Sequence, residues 1–393
     1  MKRRAAALCA LTVLSMAGAG GAAQAAPPMA VPDAVVAVGD SAISGEAGRW
    51  AGNTNQSPSR VDALGSSAYH DVAGRESIPG CHRSNAAEIH IGLNLDTANL
   101  ACSGARTYTQ PYAGGSDFKP GLDFYDDGAG HIGQAKALQQ YATGHRVRMI
   151  MVLISANNFG FADVVQTCVT DWLTSPSWWK NFCNDDAGIR SRFTSAFIAQ
   201  QRESVVGAYA NLRKAMTNAG YADTDYRLVA QTYSSPVPRG SGFRYPETGF
   251  SRQTIGGCGV WNRDADWAND TMVQTLDESV IKPAAVTAGA EVMDARGALA
   301  GHRLCENTVG LLEETGIPNW TSPGAADRSE WVSQIRTVTT LVPPYQLQED
   351  LHPSYWGQLA LRNCVRQVYV LNRGGTCSSQ GGMDGAEPDM ALG

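Results

Sequence analysis

The run Ala34-Val35-Val36-Ala37-Val38 stops abruptly at Gly39-Asp40-Ser41, and this junction constrains the fold more than any other stretch. A short, uninterrupted, β-branched apolar run bounded by turn formers reads as a buried strand of a parallel sheet. Parallel strands need long crossover connections, so helices are expected between it and its neighbours. In open α/β sheets the ligand crevice lies beyond the carboxyl ends of the strands. Ser41 stands at that position, which makes its hydroxyl the first candidate for chemistry.

Other segments support that reading. Residues 99–102 can end a second strand, and residues 147–154, the most hydrophobic stretch beyond the amino terminus, read as a central one. Residues 226–232 and 290–294 read as two more. Helical spacing fills residues 131–141, 189–218 and 264–288, and a last helix starts near residue 354 and runs to residue 371. Strands alternating with helices predict an α/β fold, a mostly parallel sheet with helices on both faces. Residues 44–98, 112–130 and 234–260 are rich in Gly, Ser, Asn, Pro and aromatics and read as long loops near strand ends. Loops of that length are usually functional or pinned by disulfides. No linker or repeat divides the chain, so residues 26–377 are expected to form one domain. The tail at residues 378–393, with Gly381-Gly382 and Gly385, reads as disordered.

The amino terminus carries Lys2-Arg3-Arg4, an apolar stretch over residues 5–17 and Ala23-Gln24-Ala25. These are the charged region, apolar core and small-residue cleavage site of a signal peptide over residues 1–25. The expectation is a secreted protein without a stable membrane anchor. Of nine cysteines, Cys9 leaves with the signal and eight remain. An even number in an exported chain favours disulfides over metal ligation. Sequence neighbours form four plausible clips: Cys81–Cys102, Cys168–Cys183, Cys258–Cys305 and Cys364–Cys377. No close Cys-x-x-Cys pair supports a zinc site. A net charge of -6 without a basic cluster outside the signal speaks against nucleic acid as partner.

A serine hydroxyl is a poor nucleophile until a base takes its proton. Of seven histidines, His352 stands out in Gln348-Glu349-Asp350-Leu351-His352-Pro353, just before the last helix and behind two carboxylates. A carboxylate beside an imidazole can hold its tautomer and stabilise the imidazolium. Attack on an ester also needs donors for the developing oxyanion. Gly104 follows the second strand and can offer a backbone N–H. Asn157, in Ser155-Ala156-Asn157-Asn158, follows the most hydrophobic strand and can offer a side-chain N–H.

Gly39-Asp40-Ser41, Gly104, Asn157 and His352, in this order, resemble the four blocks of the GDSL/SGNH hydrolases. The chain resembles the secreted bacterial, actinobacterial-type esterases and lipases of that family. The resemblance implies a flavodoxin-like three-layer α/β/α sandwich with disulfide-pinned loops. It implies Ser41 as nucleophile, His352 as general base, and an oxyanion hole from Ser41, Gly104 and Asn157, without metal or organic cofactor. Three positions depart from the family pattern: Ala42 replaces a larger residue, Ser155 stands where the third block usually has Gly, and Asn158 fills its acidic slot. The orienting acid is open between Glu349, favoured by spacing, Asp350, and a backbone carbonyl in place of either.

The function that follows is a monomeric secreted serine hydrolase cleaving small-molecule or lipid carboxylic esters. Two alternatives stand beside it. One is a carbohydrate esterase acting on acylated polysaccharide, for which Trp172, Trp178, Trp179, Trp261 and Trp267 are candidate stacking residues. The other is a non-catalytic exported binding protein of the same fold.

Overall fold

The computed structural model describes residues 31–110, 118–338 and 340–393. The expected signal peptide lies outside these residues, as does the start of the loop at residues 112–130. β1 (Asp33–Gly39) is solvent-free from residue 34 onward, so both faces of the sheet are covered there. It lies between β2 (Asp96–Asn99) and β3 (Arg146–Leu153), parallel to both, with Val36 opposite Ala98 on one side and Ile150 on the other. β4 (Arg227–Gln231), β5 (Glu291–Asp294) and β6 (Gly375–Asp384) continue the parallel order, and β7 (Glu387–Leu392) closes the edge antiparallel. The seven-stranded order is β2-β1-β3-β4-β5-β6-β7. The first five strands follow the flavodoxin-like order, whose switch point falls between β1 and β3.

The helices form where the apolar spacing places them. α1 (Ser41–Ser44) is a single turn, α2 (Gln134–Gly144) precedes β3, and α3 (Phe161–Thr174) follows it. The run read as one helix over residues 189–218 is two, Ala187–Ser191 and Ser195–Asn218. Thr194 separates them by capping the second, its hydroxyl accepting from the Phe197 N–H. The helix read over residues 264–288 begins at Asn262–Trp267 and ends at Lys282–Thr287. Between these, Ala268–Val273 and Thr275–Ile281 are wound as wide π turns, a geometry frequent at functional sites. The last helix, Tyr355–Leu371, packs against β6 and β7.

All four neighbouring cysteine pairs are bonded: Cys81–Cys102, Cys168–Cys183, Cys258–Cys305 and Cys364–Cys377. The long loop at residues 44–98 is packed rather than draped, with Trp50, Ile89 and Ile91 in the core.

The tail corrects the sequence reading. Residues 378–393 form the β6–β7 hairpin instead of a disordered end. Cys377 is anchored to Cys364, and Met390 and Leu392 are buried. Asn363 and Gln367 donate to the Pro388 and Met390 carbonyls at 3.2 and 2.6 Å. The glycines that signalled disorder occupy the hairpin, where Gly381, Gly382 and Gly385 take positive φ.

Candidate active site

Two strand ends and one late loop meet beyond the carboxyl edge of the sheet. Gly39 closes β1 at φ +140°, and a Cβ there would lie 1.9 Å from the Leu153 carbonyl oxygen, so only glycine fits. Gln134 holds this turn from α2, accepting from the Gly39 N–H at 2.7 Å and donating to its carbonyl at 2.8 Å. Asp40 caps α1, accepting from the Ala42 N–H. Ser41 is therefore the first helical residue, where backbone N–H groups have no partner within the helix.

β3 delivers the second group. Ser155 sits at φ +138° and is buried, with a hydroxyl that has no hydrogen-bond partner among the described residues. Non-glycine residues rarely adopt such backbone. Two residues on, Asn157 donates one side-chain hydrogen to the Ala105 carbonyl at 3.0 Å. An amide has two, which leaves one free to face the pocket. Asn158 is held elsewhere, donating to Thr107 Oγ1 at 2.8 Å and Gln201 Oε1 at 3.0 Å.

The Tyr233 hydroxyl ties the two strand ends together. It donates to Asp40 Oδ2 and accepts from the Ala156 N–H at 2.8 Å. Burial pushes the Asp40 carboxyl up to about 7 against that hydrogen bond.

The late loop brings His352 onto the serine. Its Nε2 lies 2.7 Å from Ser41 Oγ, and its Nδ1 lies 2.9 Å from the backbone carbonyl of Asp350. A carbonyl only accepts, so Nδ1 carries the hydrogen and Nε2 is left as the acceptor facing the serine. Burial holds the imidazole below its ordinary value, with the nearby Glu46 charge opposing.

The candidate acids Glu349 and Asp350 do not meet the imidazole, which corrects the reading from spacing. Glu349 is buried and receives the Tyr69 hydroxyl at 2.8 Å and the Gln346 N–H at 2.9 Å. Asp350 turns its carboxyl to the Arg336 N–H at 3.0 Å, and burial pushes that carboxyl up to about 8. Leu351, between Asp350 and His352, takes φ +61°, in the left-handed region. The loop is pinned by Leu351 N–H to the Ser333 carbonyl and Ser333 N–H to the His352 carbonyl, at 3.1 and 3.0 Å.

Ser41, Asn157 and His352 line one cavity of about 640 Å3, counting the space open to solvent. Its walls include Leu153, Phe161, Met272, Val273 and Leu276, the last three from the π-wound helix. Gly104 takes φ +79° and does not line this cavity. It lies two residues past Cys102, whose N–H donates to the Gly39 carbonyl at 3.1 Å.

A second histidine–acid pair went unread in the sequence. Glu46, fully buried, lies 2.5 Å from His82 Nδ1, and its own N–H donates to the Ser41 carbonyl at 3.1 Å. Burial pushes His82 down, but the hydrogen bond and charge of Glu46, with Glu76 nearby, outweigh it and raise the imidazole. Burial likewise pushes Glu46 up, and His82 outweighs it and holds the carboxyl low. Tyr69 stacks on His82 at 4.5 Å and links this pair to Glu349. No spacing rule joins residues 36 apart, so only the fold reveals them.

Among the described residues, no group of three or more His, Cys, Asp or Glu could hold a metal ion. None of the described helices is long and apolar enough to cross a membrane.

No family model matches the chain, and no curated protein does. Solved structures similar to it include the extracellular lipase from Streptomyces rimosus, at 19% identity over 86% of this chain and 98% of that one, with a TM-score of 0.41. Phospholipase A1 from Streptomyces albidoflavus matches at 18% identity over 87% and 99%, TM-score 0.45. A carbohydrate acetylesterase from Sinorhizobium meliloti matches at 11% over 73% and 94%, TM-score 0.28.

Proposed function

We propose that this chain hydrolyses carboxylic esters through an acyl-enzyme on Ser41. The observation that carries the reading is the Ser41–His352–Asp350 carbonyl relay, with contacts of 2.7 and 2.9 Å, at the wall of an apolar cavity. His352 Nε2 takes the Ser41 proton as Oγ bonds to the acyl carbon. The carbonyl oxygen becomes an oxyanion, received by the free Asn157 hydrogen and the Ser41 N–H. Collapse of this intermediate expels the alcohol oxygen, which takes the proton back from His352. A water then repeats the sequence on the acyl-enzyme and releases the acid.

The carbonyl behind His352 fixes the ring but brings no full charge, so the imidazole stays neutral and able to accept a proton. The buried Glu46 carboxylate supplies a longer-range field that favours the imidazolium once it forms. Signal-directed secretion and action as a monomer belong to the same reading. Four disulfides are consistent with an oxidising compartment.

A fluorophosphonate probe tests the proposal, since it bonds only to an activated serine. Labelling of the folded protein that vanishes in Ser41→Ala is the expected result. A folded protein that takes no label would refute the reading in favour of a non-catalytic binding protein.

A further inference from the structure

A second cavity adjoins the first and has no role in the bond-breaking steps. It spans about 470 Å3, counting the space open to solvent, and shares a wall with the catalytic cavity, made of Phe161, Pro236, Met272 and Leu351. Val164, Val165 and Cys168 of α3 form one side, and Val260, Ala265 and Ala268 face them. Its one charged lining residue, Asp264, is turned away to accept the Cys183 and Asn184 N–H groups at 3.3 and 3.2 Å. Water gains few partners in such a cleft, whereas a hydrocarbon chain loses none. Met272 in the shared wall is unbranched and can swing without leaving staggered rotamers.

A disulfide ties the cleft wall to a loop with exposed aromatics. Cys168 is bonded to Cys183, which tethers the intervening loop to the cleft wall. That loop carries Trp178 and Trp179, 81% and 74% exposed, although large aromatics are seldom left in water. Phe250 and Leu173 are exposed as well, and the Trp172 indole and Lys180 both bond Glu247, three residues before Phe250. Lys180 is thereby neutralised, at 2.6 Å from Glu247.

From these features we infer that the substrate is a long-chain acyl ester presented in an uncharged lipid surface. The Trp178–Trp179 patch docks on that surface, and the acyl chain runs past Met272 into the cleft beside α3. The inference rests on the ester-hydrolase reading and names its substrate class. Tryptophan is the side chain that settles at a lipid–water boundary, with an apolar body and one N–H. A net charge of -6 disfavours an anionic surface. The two indoles stand at 84° to each other, so they cannot both lie flat along one sugar chain. That geometry favours lipid over polysaccharide.

Two measurements test the proposal. The first is sedimentation with phosphatidylcholine vesicles, wild type against W178S/W179S. About tenfold weaker partitioning of the variant is expected, with p-nitrophenyl acetate hydrolysis within about twofold of wild type. Unchanged partitioning overturns the docking surface, as does a variant that loses acetylated xylan binding instead. The second is kcat/KM for p-nitrophenyl esters from acetate to palmitate. Wild type should gain up to about fourfold per methylene buried until the cleft is full. Ala268→Phe, or Val165→Phe should the first misfold, should lower the palmitate-to-acetate ratio about tenfold. Acetate cleaved and palmitate refused overturns this inference and leaves the ester reading standing. No cleavage at any chain length overturns the ester reading and the acyl cleft with it, while the vesicle measurement still reads the docking surface.

Discussion

Two histidines lie close to the Ser41 turn, His82 buried and His352 half-buried, and they are built in opposite ways. His82 has a carboxylate on its ring and is held above the ordinary histidine value, which favours its cation beside Glu46. His352 has a carbonyl on its ring and is held below that value, which favours its neutral form. The contrast extends to their surroundings. The His82 side is linked side chain to side chain, Glu46 Oε1 to His82 and Tyr69 to both His82 and Glu349, although Glu46 Oε2 is buried without a partner among the described residues. The His352 side keeps Ser155 at φ +138° with an unpartnered hydroxyl, Leu351 at φ +61°, and Asp40 and Asp350 pushed up by burial. Left-handed backbone occurs on both sides, at Ala47 (φ +63°) and His82 (φ +47°) as at Leu351, so the two regions differ in charge state and in Ser155 rather than in backbone strain as such.

Substitutions should therefore separate the two regions, with activity moving on one side and stability on the other. His352→Ala is expected to lower kcat/KM by about a thousandfold or more, with a melting temperature close to wild type. Retention of wild-type rates would put the base elsewhere and erase the contrast. The pH profile follows from the same assignment. Activity needs neutral His352, so it should fall on the acid side, with a midpoint below the ordinary histidine value of about 6.5.

Glu46→Gln is the next largest expected effect, and it acts on stability. Removing one partner of a buried pair costs about 3 kcal/mol or more, because the other charge is left uncompensated. The pH window distinguishes this pair from ordinary packing. His82 is raised, so its contribution is present below the unfolded histidine value and is lost as pH rises through the folded one. Glu46 is lowered, so its contribution is present above the unfolded glutamate value and is lost as pH falls through the folded one. The wild-type advantage over the variant should therefore peak at mildly acidic pH. The acid limb of activity should also shift lower, because Glu46 no longer raises His352. An equal destabilisation from acid to alkaline pH would mean the pair is not ionic.

Ser155→Gly should move stability the other way. A glycine adopts φ +138° without strain and removes a buried hydroxyl that has no partner, so a gain of about 1 kcal/mol is expected. Chemical denaturation measures it. A loss would show that the Ser155 side chain stabilises this turn and that the reactive region is less strained than its backbone implies.

The parts of this arrangement that sequence reveals are those set by local rules. The strand before Ser41, the glycine turn at Gly39 and the polar residues closing β3 follow from apolar runs and turn formers, and the four disulfides join cysteines adjacent in order. The groups that sequence hides are set by loop backbone and by distant packing. Whether Glu349, Asp350 or a carbonyl faces His352 depends on Leu351 at φ +61°, which residue spacing does not encode. Glu46 and His82 meet through a long loop whose path is fixed by Trp50, Ile89 and the Cys81–Cys102 bond. The β6–β7 hairpin is ordered by side chains of the last helix rather than by its own composition.

The smallest expected effects fall on the two acids that spacing favours, and they sharpen the contrast because they contradict a carboxylate triad. Asp350→Asn keeps the backbone carbonyl that holds His352 and should leave kcat/KM within about twofold. A true triad acid replaced by its amide loses about ten-thousandfold, so the two mechanisms differ by far more than experimental error. The Asp350 carboxyl is pushed up to about 8, so the folded state keeps it protonated where the unfolded chain ionises it. That difference destabilises the wild type progressively as pH rises from about 4 towards the folded value. Asparagine carries no such penalty, so Asp350→Asn should match wild type in acid and exceed it near neutral pH. Glu349→Gln should likewise spare activity, since Tyr69 and Gln346 take up that carboxylate and the imidazole does not. A large rate loss in either variant would restore a carboxylate to the relay and make His352 resemble His82 after all.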